Sequence, residues 1–186
     1  MLKRKDKILI SAIELLDAEG TNGVTTKKLA KLQKVTEPAL YRQFKSKQDI
    51  LNHIIEEYAS YDEKIINTIK ESGLRGKEAI EFYVKRFAEL YQNYSELTTI
   101  MFSMDLYQYK ERTKERMQEI VKRRIFFLES IIKEDSTEFS CMNQYDEREM
   151  ASLINGTIFS QVYEWRIMDK SYPLDERLIK FIGKLV

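Results

Sequence analysis

Apolar residues recur at intervals of three and four along most of the 186-residue chain, the period of helices with one buried face. Leu9, Ala12, Ile13 and Leu16 form one such stripe. They predict a first helix from about Arg4 to Glu19, stopped at Gly20, where glycine tolerates a left-handed backbone. Thr21-Asn22-Gly23 continues the turn. A short second helix is predicted near Thr26 to Gln33, capped by the hydroxyl of Thr25 or Thr26, with Leu29, Ala30 and Leu32 facing inward. Thr36 caps a third, with Pro38 in its first turn, where a missing N–H costs nothing, and an end near Phe44-Lys45. Ser46 opens a longer fourth helix, with Asp49 three residues on as a variant capping box and an apolar series from Ile50 to Ile69.

Everything after Gly73 reads as more helix. One stripe is Ile80, Tyr83, Val84, Phe87, Ala88 and Tyr91, and a second is Leu97, Ile100, Met101 and Met104. A third contains Met117, Ile120, Val121, Leu128, Ile131 and Ile132. Residues 134–145 are polar and loop-like. Met150, Leu153, Ile154, Thr157, Ile158, Gln161, Val162 and Trp165 form a fourth, and a last helix runs from Leu174 to Val186 after the break at Tyr172-Pro173. The expectation is an all-α chain of about nine helices, the short ones first. A three-helix head over 1–48 is followed by a helical body over 49–186.

Composition sharpens this picture. Six glycines and two prolines suit long helices. The apolar runs are far shorter than the roughly 20 residues needed to cross a bilayer, so no membrane association is expected and a cytoplasmic location is. Cys141 and His53 are the sole cysteine and histidine, which leaves no parts for a four-ligand zinc centre. No glycine-rich phosphate loop and no nucleophile beside a base stands out, so neither catalytic residues, metal nor cofactor is expected and the chain does not read as an enzyme. The net charge of +1 hides an asymmetry. Residues 1–53 hold eleven Lys/Arg against six Asp/Glu, whereas the remainder is net acidic. A basic head on an acidic body suits a polyanion at one end.

The short helices lie in that basic part. The third helix, pinned from behind by Leu40 and Phe44, leaves Glu37, Ala39, Tyr41, Arg42 and Gln43 facing outward, residue types that meet base edges, thymine methyls and phosphates. Thr26, Lys27 and Lys28 open the supporting helix, and Lys47 opens the next, where backbone N–H groups and cations together favour phosphate. This is the pattern of a helix-turn-helix. The run Thr25-Thr26-Lys27-Lys28-Leu29-Ala30, then Val35-Thr36, Leu40-Tyr41, Phe44-Lys45-Ser46-Lys47 and Ile50-Leu51, resembles the TetR-type repressors. The resemblance implies a homodimer on double-stranded operator DNA, an inducer pocket in the larger domain, and DNA-facing positions at Thr26, Lys27, Glu37, Pro38, Ala39, Tyr41, Arg42, Gln43 and Lys47. Lys28 and Thr36 join them from the residue reading above. One departure is Lys34, at a turn position where the family usually has glycine.

For the body, the expectations are broader. Tyr83, Phe87, Tyr91, Met101, Met104, Met117 and Phe127 could wall a site for a mostly apolar small molecule, or serve as plain core. Gly156 in the middle of an apolar helix asks for a reason, either close approach across a dimer or a bend within the monomer. Ile154, Gly156, Ile158, Trp165, Leu178 and Ile182 are the expected dimer contacts. Two modes of control fit this reading: release from the operator by a small molecule, or control by a protein partner or by DNA itself, as in nucleoid-occlusion factors, which use this fold.

Overall fold

The computed structural model describes residues 3–108, 111–136, 139 and 144–186, with the Glu111 side chain excepted. In chain order the helices are α1 (Arg4–Gly23), α2 (Thr26–Leu32), α3 (Glu37–Tyr41), α4 (Lys47–Ser72), α5 (Gly76–Asn93), α6 (Thr99–Phe102), α7 (Met104–Gln108), α8 (Glu111–Glu134), α9 (Glu147–Ile167) and α10 (Leu174–Leu185), with a 3-10 turn over Ser95–Thr98 before α6. No strand occurs among the described residues. None of their helices is long and apolar enough to cross a membrane. Half of the expected loop over 134–145 lies outside the described residues.

The chain forms two compact units, and the divisions between them fall inside α4, between Tyr94 and Ser95, and inside α8. The first comprises Met1–Ser60 and Ser95–Gln118. Its core holds the α1 stripe Ile8, Leu9, Ala12, Ile13 and Leu16 together with Leu29, Leu40, Phe44, Ile50, Leu51 and Ile54, all buried. Gly20 has φ 68°, so the regular part of α1 ends where the sequence predicts, and one more turn follows to Gly23. The Thr21 hydroxyl and amide both donate to the Asp105 carboxylate on α7. Partial burial pushes the Asp105 carboxyl up. The hydrogen bonds from Thr21 and from the backbone of Leu106 and of Asp105 itself outweigh that and hold it below the usual carboxylate value.

Three local expectations change. Leu32 is 53% exposed, because α2 ends there and the chain turns away before another element covers it. The third helix is shorter than its pattern predicts: α3 closes at Tyr41, and Phe44 reaches the core from the turn that follows. The stripe from Leu97 to Met104 is not one helix. Ser103 ends α6 in a non-helical conformation and α7 restarts at Met104, whose side chain is 63% exposed.

The second unit comprises Tyr61–Tyr94 and Glu119–Val186. There α10 packs on α5 and α9. Pro173 has no side chain able to cap α10; instead Gln92 of α5 accepts from the Leu174 and Asp175 amides. Asp146 and Glu149 form a reciprocal capping box at the start of α9, with bonds of 2.7 and 2.9 Å. Trp165 donates to the Tyr172 carbonyl at 2.9 Å and so closes the α9–α10 turn. Arg177 of α10 reaches back to Gln161 at 2.9 Å and Glu164 at 2.6 Å on α9.

Candidate DNA-binding surface

The α2–α3 pair is assembled from local interactions. Thr25 is the residue that caps α2, accepting from the Lys28 amide at 3.2 Å, which leaves the Thr26 side chain available for other contacts. At the other end, Lys34 takes φ 53°. The Val35 amide bonds to the Ala30 carbonyl at 2.9 Å and the Lys34 amide to the Lys31 carbonyl at 3.1 Å. That pair of bonds is a Schellman closure, which requires a left-handed residue at this position. The turn geometry is therefore kept without glycine, at a cost of about 1 kcal/mol. Gln33 ties the same turn to α1, donating to the Lys7 carbonyl at 3.2 Å and the Ser11 hydroxyl at 2.9 Å.

Thr36 caps α3, accepting from the Ala39 amide at 3.3 Å, and Pro38 occupies its first turn. Leu40 is wholly buried and Phe44 is 1% exposed. The Phe44 and His53 rings meet near-perpendicular with centroids 5.2 Å apart, and the Lys5 ammonium lies both 5.5 Å from the Phe44 centroid and 2.8 Å from the His53 ring nitrogen Nε2. So α3 is fastened from behind to α1 and α4. Its other side is open: Glu37, Pro38, Arg42 and Gln43 are exposed, Tyr41 is 48% exposed and Ala39 is half-buried. Lys27 and Lys28 are exposed on α2, and Thr26 and Lys47 are half-buried. Lys28 pairs with Glu19 of α1. Ser46 caps α4 through the Asp49 amide at 3.1 Å, and the Asp49 carboxylate accepts from the Lys45 amide at 2.8 Å, one residue earlier than a capping box requires.

The residues expected to face DNA also bind one another, which no sequence signal indicated. The Thr26 hydroxyl donates to Glu37 Oε2 at 3.1 Å and lies 3.4 Å from the Tyr41 hydroxyl. Residues eleven and fifteen positions apart carry no local signal of such contact.

The expected effector residues divide between the two units. Tyr83, Phe87, Tyr91 and Phe127 belong to the second, where they form a buried aromatic chain with centroid separations of 4.8, 5.9 and 5.7 Å. The Arg124 guanidinium stacks 4.8 Å from the Phe87 centroid and makes two 2.6 Å bonds to Asp62, both partners buried. No sequence pattern marked that pair. Met101, half-buried Met117 and exposed Met104 belong to the first unit.

The expected dimer contacts lie mostly inside the protomer. Ile154, Ile158, Trp165, Leu178 and Ile182 are all buried within the chain itself, where they hold α9 and α10 in the core of the second unit. The physical reason is that α9 is apolar on two sides. The stripe through Leu153, Gly156, Ser160, Tyr163 and Ile167 is the exposed one, with Phe159 beside it at 44% exposure. Gly156 alone of the expected set lies there. A side chain added at Gly156 would meet nothing within 4 Å, so close packing inside the protomer does not explain it.

This arrangement, a short outward-facing helix capped and clamped over a three-helix core, is that of a helix-turn-helix DNA-binding protein. Residues 8–54 match the family model of the tetR family of bacterial regulatory proteins, and residues 54–186 match that of the YsiA-like protein C-terminal region. The chain belongs to the tetR family and is a DNA-binding transcriptional regulator. It is similar to the fatty acid metabolism regulator protein of Bacillus subtilis, 26% identical over 169 residues, covering 90% of this chain and 86% of that one. It is also similar to the nucleoid occlusion factor SlmA of Aliivibrio fischeri, 30% identical over 156 residues, covering 83% and 80%. Its fold matches that of FadR from Bacillus subtilis in complex with stearoyl-CoA, with a TM-score of 0.76, 23% identity and coverage of 98% and 100%. The fatty acid degradation regulator FadR of Bacillus halodurans gives a TM-score of 0.79 at 21% identity, covering 100% and 95%.

Proposed function

We propose that the chain is a cytoplasmic repressor that binds operator DNA as a homodimer and is released by a long apolar effector, with a fatty acyl-CoA the first candidate. The observation that carries the DNA half of this reading is α3 itself: Leu40 and Phe44 buried, with Glu37, Tyr41, Arg42 and Gln43 exposed on the opposite side. DNA contacts are assigned to Thr26, Lys27, Lys28, Thr36, Glu37, Pro38, Ala39, Tyr41, Arg42, Gln43 and Lys47. The effector half is supported by the apolar aromatic chain of the second unit and by the stearoyl-CoA bound to a relative of the same fold. The role is regulation and not catalysis.

The test is a gel-shift titration against the DNA upstream of the protein's own coding sequence. Binding weakens steeply with salt as phosphate contacts release counterions. Lys47→Ala weakens binding to every sequence by a similar factor and lowers the salt slope by about 1. Stearoyl-CoA releases the complex, whereas the free acid or free CoA does so less. Binding that ignores salt removes the operator reading, and binding that ignores acyl-CoA removes the effector reading alone.

The dimer is assigned to the exposed stripe of α9 and to Phe181 of α10, which is also exposed. A groove of about 650 Å³ lined by Tyr145, Leu153, Gly156, Thr157 and Ser160 among others lies on that face. Two protomers gain affinity by engaging two half-sites about 34–36 Å apart. Phe159→Glu places a charge in such an interface. The expected outcome is a monomer by sedimentation, with operator affinity reduced at least tenfold. A dimer of unchanged stability places the contact elsewhere.

A second reading, control by a protein partner, is favoured by one observation. Phe126 on α8 is 72% exposed and Val121 on the same helix is 42% exposed, outside the α9 stripe. Operator binding unaffected by any acyl-CoA would favour this reading.

A further inference from the structure

The DNA-facing surface contains one feature that is unfavourable by itself: a carboxylate. Glu37 is the first residue of α3, is exposed, and among the described residues makes no ion pair. Near phosphates such a group repels unless it gains a donor. Its side chain is nevertheless placed. Thr26 on α2 donates its hydroxyl proton to Glu37 Oε2 at 3.1 Å. That proton is then spent, so at the 3.4 Å contact the Tyr41 hydroxyl donates to Thr26 Oγ1. The result is a directed chain from Tyr41 through Thr26 to Glu37. It spans both helices of the pair and holds the carboxylate by one oxygen.

We infer that Glu37 selects a cytosine in each operator half-site, its Oε1 accepting from the cytosine N4 amine while Thr26 holds Oε2. This rests on the operator-binding reading above and adds the base identity to it. A carboxylate can only accept. In the major groove guanine presents N7 and O6 and thymine presents O4, all acceptors that repel it. Adenine offers an N6 donor, but N7 stands beside it as an acceptor, so a carboxylate gains one bond and meets one repulsion. Cytosine N4–H has an acceptor on one side only, the O6 of its paired guanine, and its own C5–H on the other, whereas adenine N6 lies between its own N7 and the O4 of its paired thymine. The N-terminal residues of a recognition helix are those that reach base edges, and Glu37 is the first of them here. Pro38 follows with no N–H to compete for the carboxylate. Thr26 acts through Glu37 as a positioning residue.

The experiment is selection from a random double-stranded DNA pool by the full-length protein, run in parallel for the natural chain, Glu37→Gln and Thr26→Val. Each variant is first checked for an unchanged circular dichroism spectrum. The natural chain is expected to enrich a symmetric site with cytosine preferred about tenfold or more at one position per half-site. Glu37→Gln moves that position alone toward adenine, because an amide pairs with adenine N6 and N7. Thr26→Val keeps cytosine there but weakens the preference severalfold. A site unchanged in Glu37→Gln, or one in which every position loses preference together, overturns the assignment and leaves operator binding intact. A pool in which the natural chain enriches nothing overturns operator binding itself and this assignment with it.

Discussion

Asp62→Ala is expected to destabilise the protein by about 3–5 kcal/mol, because it removes the two carboxylate bonds that compensate a buried guanidinium. Arg124 is 6% exposed and Asp62 is fully buried, and two 2.6 Å bonds join them. Desolvating the two ions costs nearly what their attraction returns, so the pair itself adds little net stability. Removing one partner keeps the desolvation cost and loses the compensation. A paired change to apolar residues of similar volume, Asp62→Leu with Arg124→Met, is therefore expected to recover most of the loss or exceed it. Urea denaturation of the two single variants and the double variant gives the coupling directly. If Asp62→Ala unfolds at the same urea concentration as the natural chain, the pair is solvated in solution. The guanidinium also stacks on Phe87, within the aromatic chain assigned to effector binding. The double variant therefore tests whether a charge there is needed for the acyl-CoA response or only for the fold.

Phe44→Ala is the second large effect. Phe44 is 1% exposed and reaches the core from a turn, not from the helix it anchors. Truncating a buried phenylalanine costs about 3–5 kcal/mol, part of it for the cavity left behind. Here the loss falls beneath a five-residue helix, far too short to persist without tertiary support. The ring also supports Lys5 and His53, so α1, α3 and α4 loosen together. The expected outcome is loss of operator binding of at least a hundredfold, with amide exchange accelerated across α3. Tyr94→Phe serves as the control, because Tyr94 is exposed and is not among the residues assigned to DNA. Operator affinity retained in Phe44→Ala would mean that α3 is held by Leu40 alone.

The two expectations differ in how far apart the interacting residues lie. The Phe44 clamp was legible because Leu40 and Phe44 are four residues apart and the caps at Thr25, Thr36 and Ser46 are one-turn signals. The turn at Lys34 was marked only by the resemblance, in which glycine is usual there, and the structure shows the left-handed backbone that glycine favours. The Arg124–Asp62 pair was not legible, since 62 positions separate its members and charged residues are common on helix faces. The chain from Tyr41 through Thr26 to Glu37 was hidden for the same reason. Each residue was singled out, yet nothing local showed that they meet.

The sequence by itself determined the helical class, the extent of most helices, and the capped helix-turn-helix, because each follows from interactions within one or two turns of chain. Tertiary structure decided which residues are used by the fold and which are left over. On α9 two apolar stripes compete, and the amphipathic pattern does not rank them. Packing against α10 buried Ile154, Ile158 and Trp165 and left Leu153, Phe159 and Tyr163 outside. Burial depends on what the rest of the chain brings to a helix, and one helix's periodicity holds no record of that.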